Sequence, residues 1–243
     1  MSNATLLEVS DVTVEYVTQG QRFAAISDVT LDIAEGKTLG LVGESGCGKS
    51  TTGRAIIQLP TPTAGQVKFE GQELTGLTHN DMRPIRQRLQ IIFQDPVSSL
   101  NPRRRVKDIV AEPLIIDGLK NTAEIDRKVR EVLNAVGMDP DITMDRRPHQ
   151  FSGGQCQRIC IARALIMEPK LIVCDEPVSA LDVSVQAQIL NLLEDMKERY
   201  GLTLLFISHD LAVVKNISDR VAVMYLGKFC ELADSERIYQ APA

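Results

Sequence analysis

A glycine-rich run near the N-terminus constrains this chain more than any other part of its sequence. The run follows an apolar stretch at 38–42, precedes a possible helix at 50–58, and reads Gly43-Glu44-Ser45-Gly46-Cys47-Gly48-Lys49-Ser50-Thr51. Between a buried strand and a helix, such a turn can surround a phosphate with backbone N–H groups, and its lysine can reach the phosphate oxygens. The Ser50 hydroxyl then suits Mg²⁺. The alternative is a glycine-rich turn with an incidental lysine, and the strand–loop–helix context disfavours it.

Two adjacent carboxylates end a second apolar stretch. Residues 171–174 are apolar, and Asp175 and Glu176 follow them directly. An open parallel sheet places ligand-contacting groups at the carboxyl ends of its strands. Asp175 suits Mg²⁺, usually through water, and Glu176 can accept a proton from a water that attacks a γ-phosphate. A solvated acidic strand end is the alternative, and the phosphate-binding loop makes it the weaker one.

Composition disfavours nucleic acid as a partner. The chain has 27 Lys and Arg against 32 Asp and Glu, a net charge of −5, so no basic field surrounds it. Aromatic residues make up 4% and Trp is absent, which disfavours stacking platforms for single strands. Five cysteines contain no Cys-x-x-Cys pair, and the three histidines are scattered. We therefore predict that the cysteines are reduced, and that Cys156 and Cys160 are small buried packing residues rather than metal ligands.

The sequence also predicts a cytosolic chain that reaches a membrane only through a partner. Residues 1–8 lack a basic stretch followed by an apolar run, and the longest apolar runs, such as 204–207, have the length of a strand.

Hydropathy patterns predict an α/β fold with three parts. Alternating residues at 7–16 and 29–33 predict antiparallel strands, and 66–70 and 89–93 read as further strands. From about 96 to 150 the character is helical, with apolar residues at helical spacing in 122–136. Strands at 171–174, 203–207 and 221–225 then alternate with helices at 155–167 and 183–200. Such alternation is typical of a parallel sheet covered by helices.

One short stretch makes a family resemblance specific. Phe151-Ser152-Gly153-Gly154-Gln155 looks like the signature loop of ABC-type ATPases, which other P-loop enzymes lack. Further elements resemble that family in the expected order: Gln94 the Q-loop glutamine, Ser179-Ala180-Leu181-Asp182 the D-loop, and His209 the switch histidine. Tyr16 takes the place of the aromatic residue that stacks on adenine, with Phe23 as the fallback.

The resemblance implies a P-loop NTPase with a RecA-like parallel sheet core, an N-terminal antiparallel β subdomain and a helical signature subdomain. We expect one nucleotide-binding domain over 1–243, with its core at about 1–95 and 159–243 and the helical subdomain at about 96–158.

The resemblance also implies site residues and an assembly. ATP and Mg²⁺ would be the cofactors. The catalytic set would be Glu176, His209, Lys49 and Gln94, and the Mg²⁺ ligands Ser50, Gln94 and Asp175. Ser152, Gly153, Gly154 and Gln155, at the start of a helix, would face the ATP of a second, identical or homologous subunit arranged head to tail.

Two longer stretches, 93–103 and 147–155, resemble the peptide and nickel importer branch. The resemblance implies an ATPase beneath two membrane permeases, fed by an extracytoplasmic solute-binding protein and peripheral to the cytoplasmic face of the inner membrane. Cys156 and Cys160 depart from that branch, as does the end at Ala243, where its members usually continue into an extension. The solute stays open, as does the choice between a homodimer and a heterodimer.

Two other functions compete with transport. A soluble ABC-type ATPase acting on DNA or ribosomes would usually carry a coiled-coil insertion or two tandem ATPase domains, and neither is seen in the sequence. A nucleotide-dependent module without turnover is disfavoured by Glu176 and His209. The basic cluster at 83–107 could suggest nucleic acid, but a solvated face near a permease groove is the preferred interpretation.

Overall fold

The computed structural model describes residues 4–18 and 20–240, which form two β-sheets and a set of helices. The strands are β1 (Thr5–Thr18), β2 (Gln21–Ala34), β3 (Thr38–Gly43), β4 (Ala64–Phe69), β5 (Gln72–Glu73), β6 (Leu89–Ile92), β7 (Leu171–Asp175), β8 (Thr203–Ile207), β9 (Arg220–Tyr225) and β10 (Lys228–Asp234). The helices are α1 (Lys49–Ile56), α2 (His79–Arg88), α3 (Val106–Asp117), α4 (Thr122–Ala135), α5 (Pro140–Thr143), α6 (Gly153–Leu165), α7 (Val183–Tyr200), α8 (Leu211–Ile217) and α9 (Ser235–Gln240).

The first sheet is antiparallel, with the strand order β2-β1-β4-β5. Alternate residues of β1 face the core, but the phase of the alternation differs between the first and the second half of the strand. Leu7 and Val9 are buried in the first half, and Val12 and Val14 in the second. Between them Asp11 has a φ of 51° and the pairing with β2 shifts register, as in a β-bulge. The predicted antiparallel strands are confirmed.

The second sheet holds the predicted parallel strands, in the order β10-β9-β3-β8-β7-β6. β3 lies parallel to β8 and β9, β7 lies parallel to β6 and β8, and β10 is an antiparallel edge strand. Parallel neighbours end at the same edge of a sheet. Gly43, Asp175 and Ile207 are therefore the last residues of three strands that finish side by side, and this edge carries the candidate site.

The parallel sheet is covered on both faces. In β7, Ile172 and Cys174 join a core cluster with the helices α3, α4, α6 and α7, whereas Leu171 and Val173 join a cluster with the antiparallel sheet and α1. Every residue of β7 and β8 is buried. This explains why these strands read as continuous apolar runs in the sequence.

The structure differs from the predicted elements at several ends. The predicted helix at 50–58 ends at Ile56, and Gln58 has a φ of 60°. The strand predicted over 66–70 ends at Phe69 because Glu70 has a φ of 52°. The signature helix begins at Gly153 and runs through residue 158, so the expected subdomain boundary falls inside α6.

Five elements were not predicted, namely α2, α8, α9, β5 and β10. Helix α2 contains Pro84 and buries only Met82 and Ile85, so it lacks a clear apolar stripe. Its start does carry a signal, since Thr78 and Asp81 form a capping box. Within residues 4–18 and 20–240, no helix combines the length and apolar character that crossing a membrane requires.

Cys156 and Cys160 pack in the core, and cations of the basic cluster form ion pairs. Cys156 and Cys160 are buried, as predicted, and burial raises the pKa of the Cys160 thiol to about 12. Four cations of the basic cluster form ion pairs, which are Arg88–Glu70, Arg104–Glu112, Arg105–Asp145 and Lys107–Asp145. The carboxylates in these ion pairs offset much of the positive charge that would otherwise attract an anionic polymer such as nucleic acid.

Candidate nucleotide site

The glycine-rich run forms a tight loop between β3 and α1. The buried Lys49 side chain turns back into it, and its Nζ donates to the backbone oxygens of Gly43 and Glu44, each at 2.8 Å. Gly48, the N-cap of α1, has a φ of 111°, and a Cβ there would lie 2.6 Å from Ile26 Cγ2. The loop therefore requires glycine at this point, both for its backbone angles and for its close packing.

The Ser50 hydroxyl and the Asp175 carboxylate meet at the strand ends. Ser50 Oγ donates to Asp175 Oδ1 at 2.6 Å, and Asp175 is only 1% exposed. The second carboxylate oxygen accepts from Arg54 Nη2 at 3.2 Å. Residues far apart in sequence are thus joined because α1 packs on β7.

Close packing of α1 explains this contact. A Cβ on Gly53 would lie 2.7 Å from Ile207 Cδ1 and 2.9 Å from Val173 Cγ1. Glycine therefore lets the helix approach β7 and β8 more closely than any other residue would.

Glu176 lies at the centre of a polar group. Its Oε2 accepts from Gln94 Nε2 at 3.0 Å and lies 3.3 Å from His209 Nδ1, and its Oε1 lies 4.0 Å from Lys49 Nζ. Glu176 has a φ of 49°, a left-handed backbone that few side chains adopt, and its N–H donates to Ile207 O at 3.0 Å. The structure therefore holds all four predicted catalytic side chains together.

An open cavity of about 570 Å³ lies over this group. Its lining consists of nine predicted site residues and Ala25, which are Ala25, Ser45, Gly46, Gly48, Lys49, Ser50, Thr51, Gln94, Glu176 and His209. Gly43, Glu44, Cys47 and Asp175 support this lining from behind or beside it. Cys47 is buried, and its N–H donates to Glu44 O at 3.3 Å.

The two candidate adenine-stacking aromatics lie across from each other on β1 and β2. Tyr16 pairs in register with Phe23, their ring centroids are 5.9 Å apart, and both residues are exposed. Neither lines the cavity, but strand alternation puts Phe23 on the same face of β2 as Ala25, which does. The pair thus stands beside the cavity rather than inside it.

The signature residues lie apart from this cavity. Ser152 is the N-cap of α6, and its Oγ accepts from Gln155 N at 3.3 Å while Gln155 Oε1 accepts from Ser152 N at 2.9 Å. Ser152, Gly153 and Gln155 are exposed. The D-loop Asp182 is also exposed, and it is the N-cap of α7 without a side-chain cap bond.

Sequence reasoning missed Ala25 and Arg54. Nothing in the pattern around Ala25 marks it as a site residue, because its position depends on how β2 lies over the glycine-rich loop. Arg54 carries a weak signal, since it lies one helical turn after Ser50 and so shares its face of α1.

Comparisons with known sequences agree with the resemblance that the signature loop indicates. The ABC transporter family model matches residues 26–179. The oligopeptide transport ATP-binding protein OppF of Escherichia coli is 51% identical over 247 residues, which cover 98% of this chain and 74% of OppF. The oligopeptide transport ATP-binding protein AppF of Bacillus subtilis is 48% identical over 246 residues, covering 98% of this chain and 74% of AppF.

Solved structures share the fold. The ATP-binding cassette MJ0796, a dimer in a post-hydrolysis state bound to ADP and Pi, matches with a TM-score of 0.86 and 29% identity, covering 95% of this chain and 99% of that one. The cbiO1 protein of Clostridium perfringens, part of the ABC transporter complex cbiONQ, matches with a TM-score of 0.86 and 25% identity, covering 98% and 91%. The expected P-loop fold is confirmed.

Proposed function

We infer that this chain, which belongs to the ABC transporter family, binds and hydrolyses ATP as the motor subunit of a peptide importer. The observation that carries the inference is the convergence of Lys49, Gln94, Glu176 and His209 on one cavity beside the glycine-rich loop. Peptide is the proposed cargo because the two curated relatives above are named for oligopeptide transport.

The donor set fits Mg²⁺. One carboxylate, Asp175, and one hydroxyl, Ser50, meet at 2.6 Å, and Ser50 and Gln94 both line the cavity. Mg²⁺ prefers oxygen ligands and usually combines one or two protein groups with substrate phosphates and water. When bound, Mg²⁺ would offset the negative charge of the phosphates. Ser50, Gln94 and Asp175 are its proposed ligands.

The protein's own groups have separate tasks in hydrolysis. Lys49 supplies positive charge to the β- and γ-phosphates. Glu176 orients the attacking water and accepts its proton. His209 donates a hydrogen bond to the γ-phosphate, and Gln94 links the site to the helical region. Tyr16 stacks on adenine, with Phe23 packed against it.

The signature residues complete the site of a second subunit. Gly153 and Gly154 lie in the first turn of α6, Ser152, Gly153 and Gln155 are exposed, and none of the four lines the chain's own cavity. A head-to-tail pair would bring them to the γ-phosphate held by the partner. Asp182, at the start of α7, would lie in the same interface. The dimeric cassette MJ0796 supports this arrangement.

The proposed permease contact is a groove between α2 and α3. The groove measures about 450 Å³ and is lined by residues that include Arg83, Gln90, Pro113 and Ile116. Gln90 belongs to β6, the strand that leads to Gln94. A permease segment seated here could therefore move the Q-loop glutamine. The chain would then work at the cytoplasmic face of the membrane with two permeases and, indirectly, a solute-binding protein.

Reconstitution tests the proposal. The tagged chain is purified from its native membrane with the proteins it retains, and the complex is placed in liposomes. We expect uptake of labelled oligopeptides that requires internal Mg²⁺-ATP, together with phosphate release. Hydrolysis without peptide uptake would contradict the cargo, and absence of both from a complex that contains permeases would contradict the function.

A further inference from the structure

The buried carboxylate of Asp175 is held by two side chains from one helix. Ser50 Oγ donates to Oδ1 at 2.6 Å, and Arg54 Nη2 donates to Oδ2 at 3.2 Å. The two donors are four residues apart on α1 and so share one face of the helix. Each oxygen of Asp175 therefore has its own partner, which fixes the rotation of the carboxylate.

The two side chains of the Arg54–Asp175 ion pair differ in solvent exposure. The Asp175 side chain is 1% exposed, whereas the Arg54 side chain is 47% exposed and reaches inward from the surface. A buried carboxylate without a partner is costly, and removing its cation leaves that cost uncompensated. Among residues 4–18 and 20–240, Arg54 is the only cation that forms an ion pair with Asp175.

Lys49 does not substitute for Arg54. Its Nζ is engaged by the Gly43 and Glu44 backbone oxygens, and its nearest carboxylate is Glu176 at 4.0 Å. The two cations of α1 are thus divided: Lys49 lines the cavity and Arg54 stands behind it.

We propose that Arg54 is a positioning residue for Mg²⁺: it holds Asp175 Oδ2 so that Oδ1 stays beside Ser50 and faces the proposed metal site. The inference rests on the proposed function. Arg54 does not line the cavity, so it acts through Asp175 rather than on the nucleotide. Partners behind metal ligands commonly change metal affinity about 10- to 100-fold when they are removed.

The test distinguishes an effect on Mg²⁺ binding from an effect on nucleotide binding. Binding of a fluorescent ATP analogue is titrated in EDTA and then at increasing Mg²⁺ for the wild type, Arg54→Met and Arg54→Lys. Met keeps the apolar stem and removes the charge, and Lys keeps the charge without the paired nitrogens. Arg127→Met is the control, because Arg127 forms an exposed ion pair with Glu131 on α4, away from the site.

For Arg54→Met we expect affinity in EDTA within about twofold of the wild type and a half-saturating Mg²⁺ concentration raised about tenfold. Arg54→Lys should lie between them, and Arg127→Met should match the wild type. Combined with Asp175→Asn, Arg54→Met should add no further loss, since the carboxylate it positions is gone.

Three results would overturn the inference. An unchanged or tighter Mg²⁺ response in both Arg54 variants would show that the ion pair does not serve the metal site. If the Arg54 variants bind the ATP analogue more weakly than the wild type in EDTA, Arg54 acts on the nucleotide or on the stability of the whole fold. If nucleotide binding by the wild type does not change with Mg²⁺, the proposed metal site itself is absent. That result contradicts the proposed function, and the wild-type titration alone distinguishes it from a failure of the Arg54 inference. If Arg54→Met has a lower melting temperature than the wild type, the Mg²⁺ titration of the folded Arg54→Lys protein tests the inference instead.

Discussion

The strand ends of the parallel sheet and the start of α6 differ in how complete each is within one chain. At the strand ends, Ser50 donates to Asp175, Lys49 Nζ lies 4.0 Å from Glu176 Oε1, and Lys49, Ser50 and Glu176 line one cavity. At the start of α6, Ser152 and Gln155 form side-chain hydrogen bonds with each other, and both are exposed. The first region is a group that one chain assembles, and the second is the proposed set of donors for another chain.

The difference predicts that ATP binding and ATP turnover can be separated by mutation. Substitutions of Lys49 at the strand ends should change ATP binding by a monomer. Substitutions in the signature loop should leave that binding unchanged and lower only the hydrolysis that requires a pair of chains. The following predictions, ordered by expected effect, test that division.

Glu176→Gln should lower hydrolysis by about 100-fold or more, because the amide keeps the shape but cannot accept a proton. ATP binding should persist. Because slow hydrolysis no longer separates the two chains of the ATP-bound dimer, ATP should shift the variant toward twice the monomer mass, and ADP should not. Phosphate release and light scattering measure both effects. A variant that hydrolyses ATP at the wild-type rate would exclude Glu176 as the base.

Lys49→Ala should weaken ATP binding at least about tenfold, since charge-assisted hydrogen bonds contribute about 1.5–3 kcal/mol each. The loss should appear in the monomer, by titration with a labelled ATP analogue. Lys120→Ala is the matched control, because Lys120 is exposed between α3 and α4. Equal affinities for the two variants would contradict the phosphate contact.

Gly153→Asp should reduce turnover about tenfold relative to Gly153→Asn while both keep wild-type ATP affinity, because only Asp brings a negative charge to the partner's γ-phosphate. Gly153 is the better position, because an added Cβ would meet Leu181 Cδ2 at 3.4 Å, whereas at Gly154 it would meet Val185 Cγ1 at 2.5 Å. Steady-state hydrolysis at saturating ATP measures the effect. Equal rates for Asp and Asn would place the loop outside any active site.

Asp219→Asn should leave ATP affinity unchanged and lower stability by about 1–3 kcal/mol at pH 7. Asp219 lies at the opposite end of the sheet, where it accepts from Thr38 N at 2.8 Å and from Lys37 Nζ at 2.9 Å. Burial alone would raise the pKa of Asp219, but the Thr38 N–H, Lys37 and Lys197 outweigh it and hold the pKa below its usual range.

The sign of the pH dependence follows from that lowered pKa. As pH falls, the unfolded chain takes up this proton first, so the contribution of Asp219 is complete above about pH 5 and is lost as pH falls through the folded pKa. Urea unfolding of the wild type and of Asp219→Asn should therefore converge toward low pH. A constant difference across pH would show that the charge of Asp219 is not the cause.

Local sequence alone determined much of this protein. The glycine-rich run, the carboxylates after an apolar strand and the signature loop each predict a chemical role from a few adjacent residues. A helix start, for example, needs only a short stretch to present N–H groups to an anion. Strand alternation and the buried apolar runs predicted both sheets. Even α2 carried a capping signal at Thr78.

Tertiary structure decided the contacts that join distant segments. The order of the parallel strands brings Glu176 to Gln94 and His209, and close packing at Gly53 brings Arg54 to Asp175. The position of Ala25 beside the cavity likewise depends on how one sheet lies over the other. Sequence periodicity reports which face of an element is buried, but not which element covers it, and the pairing of charges across elements follows only from that choice.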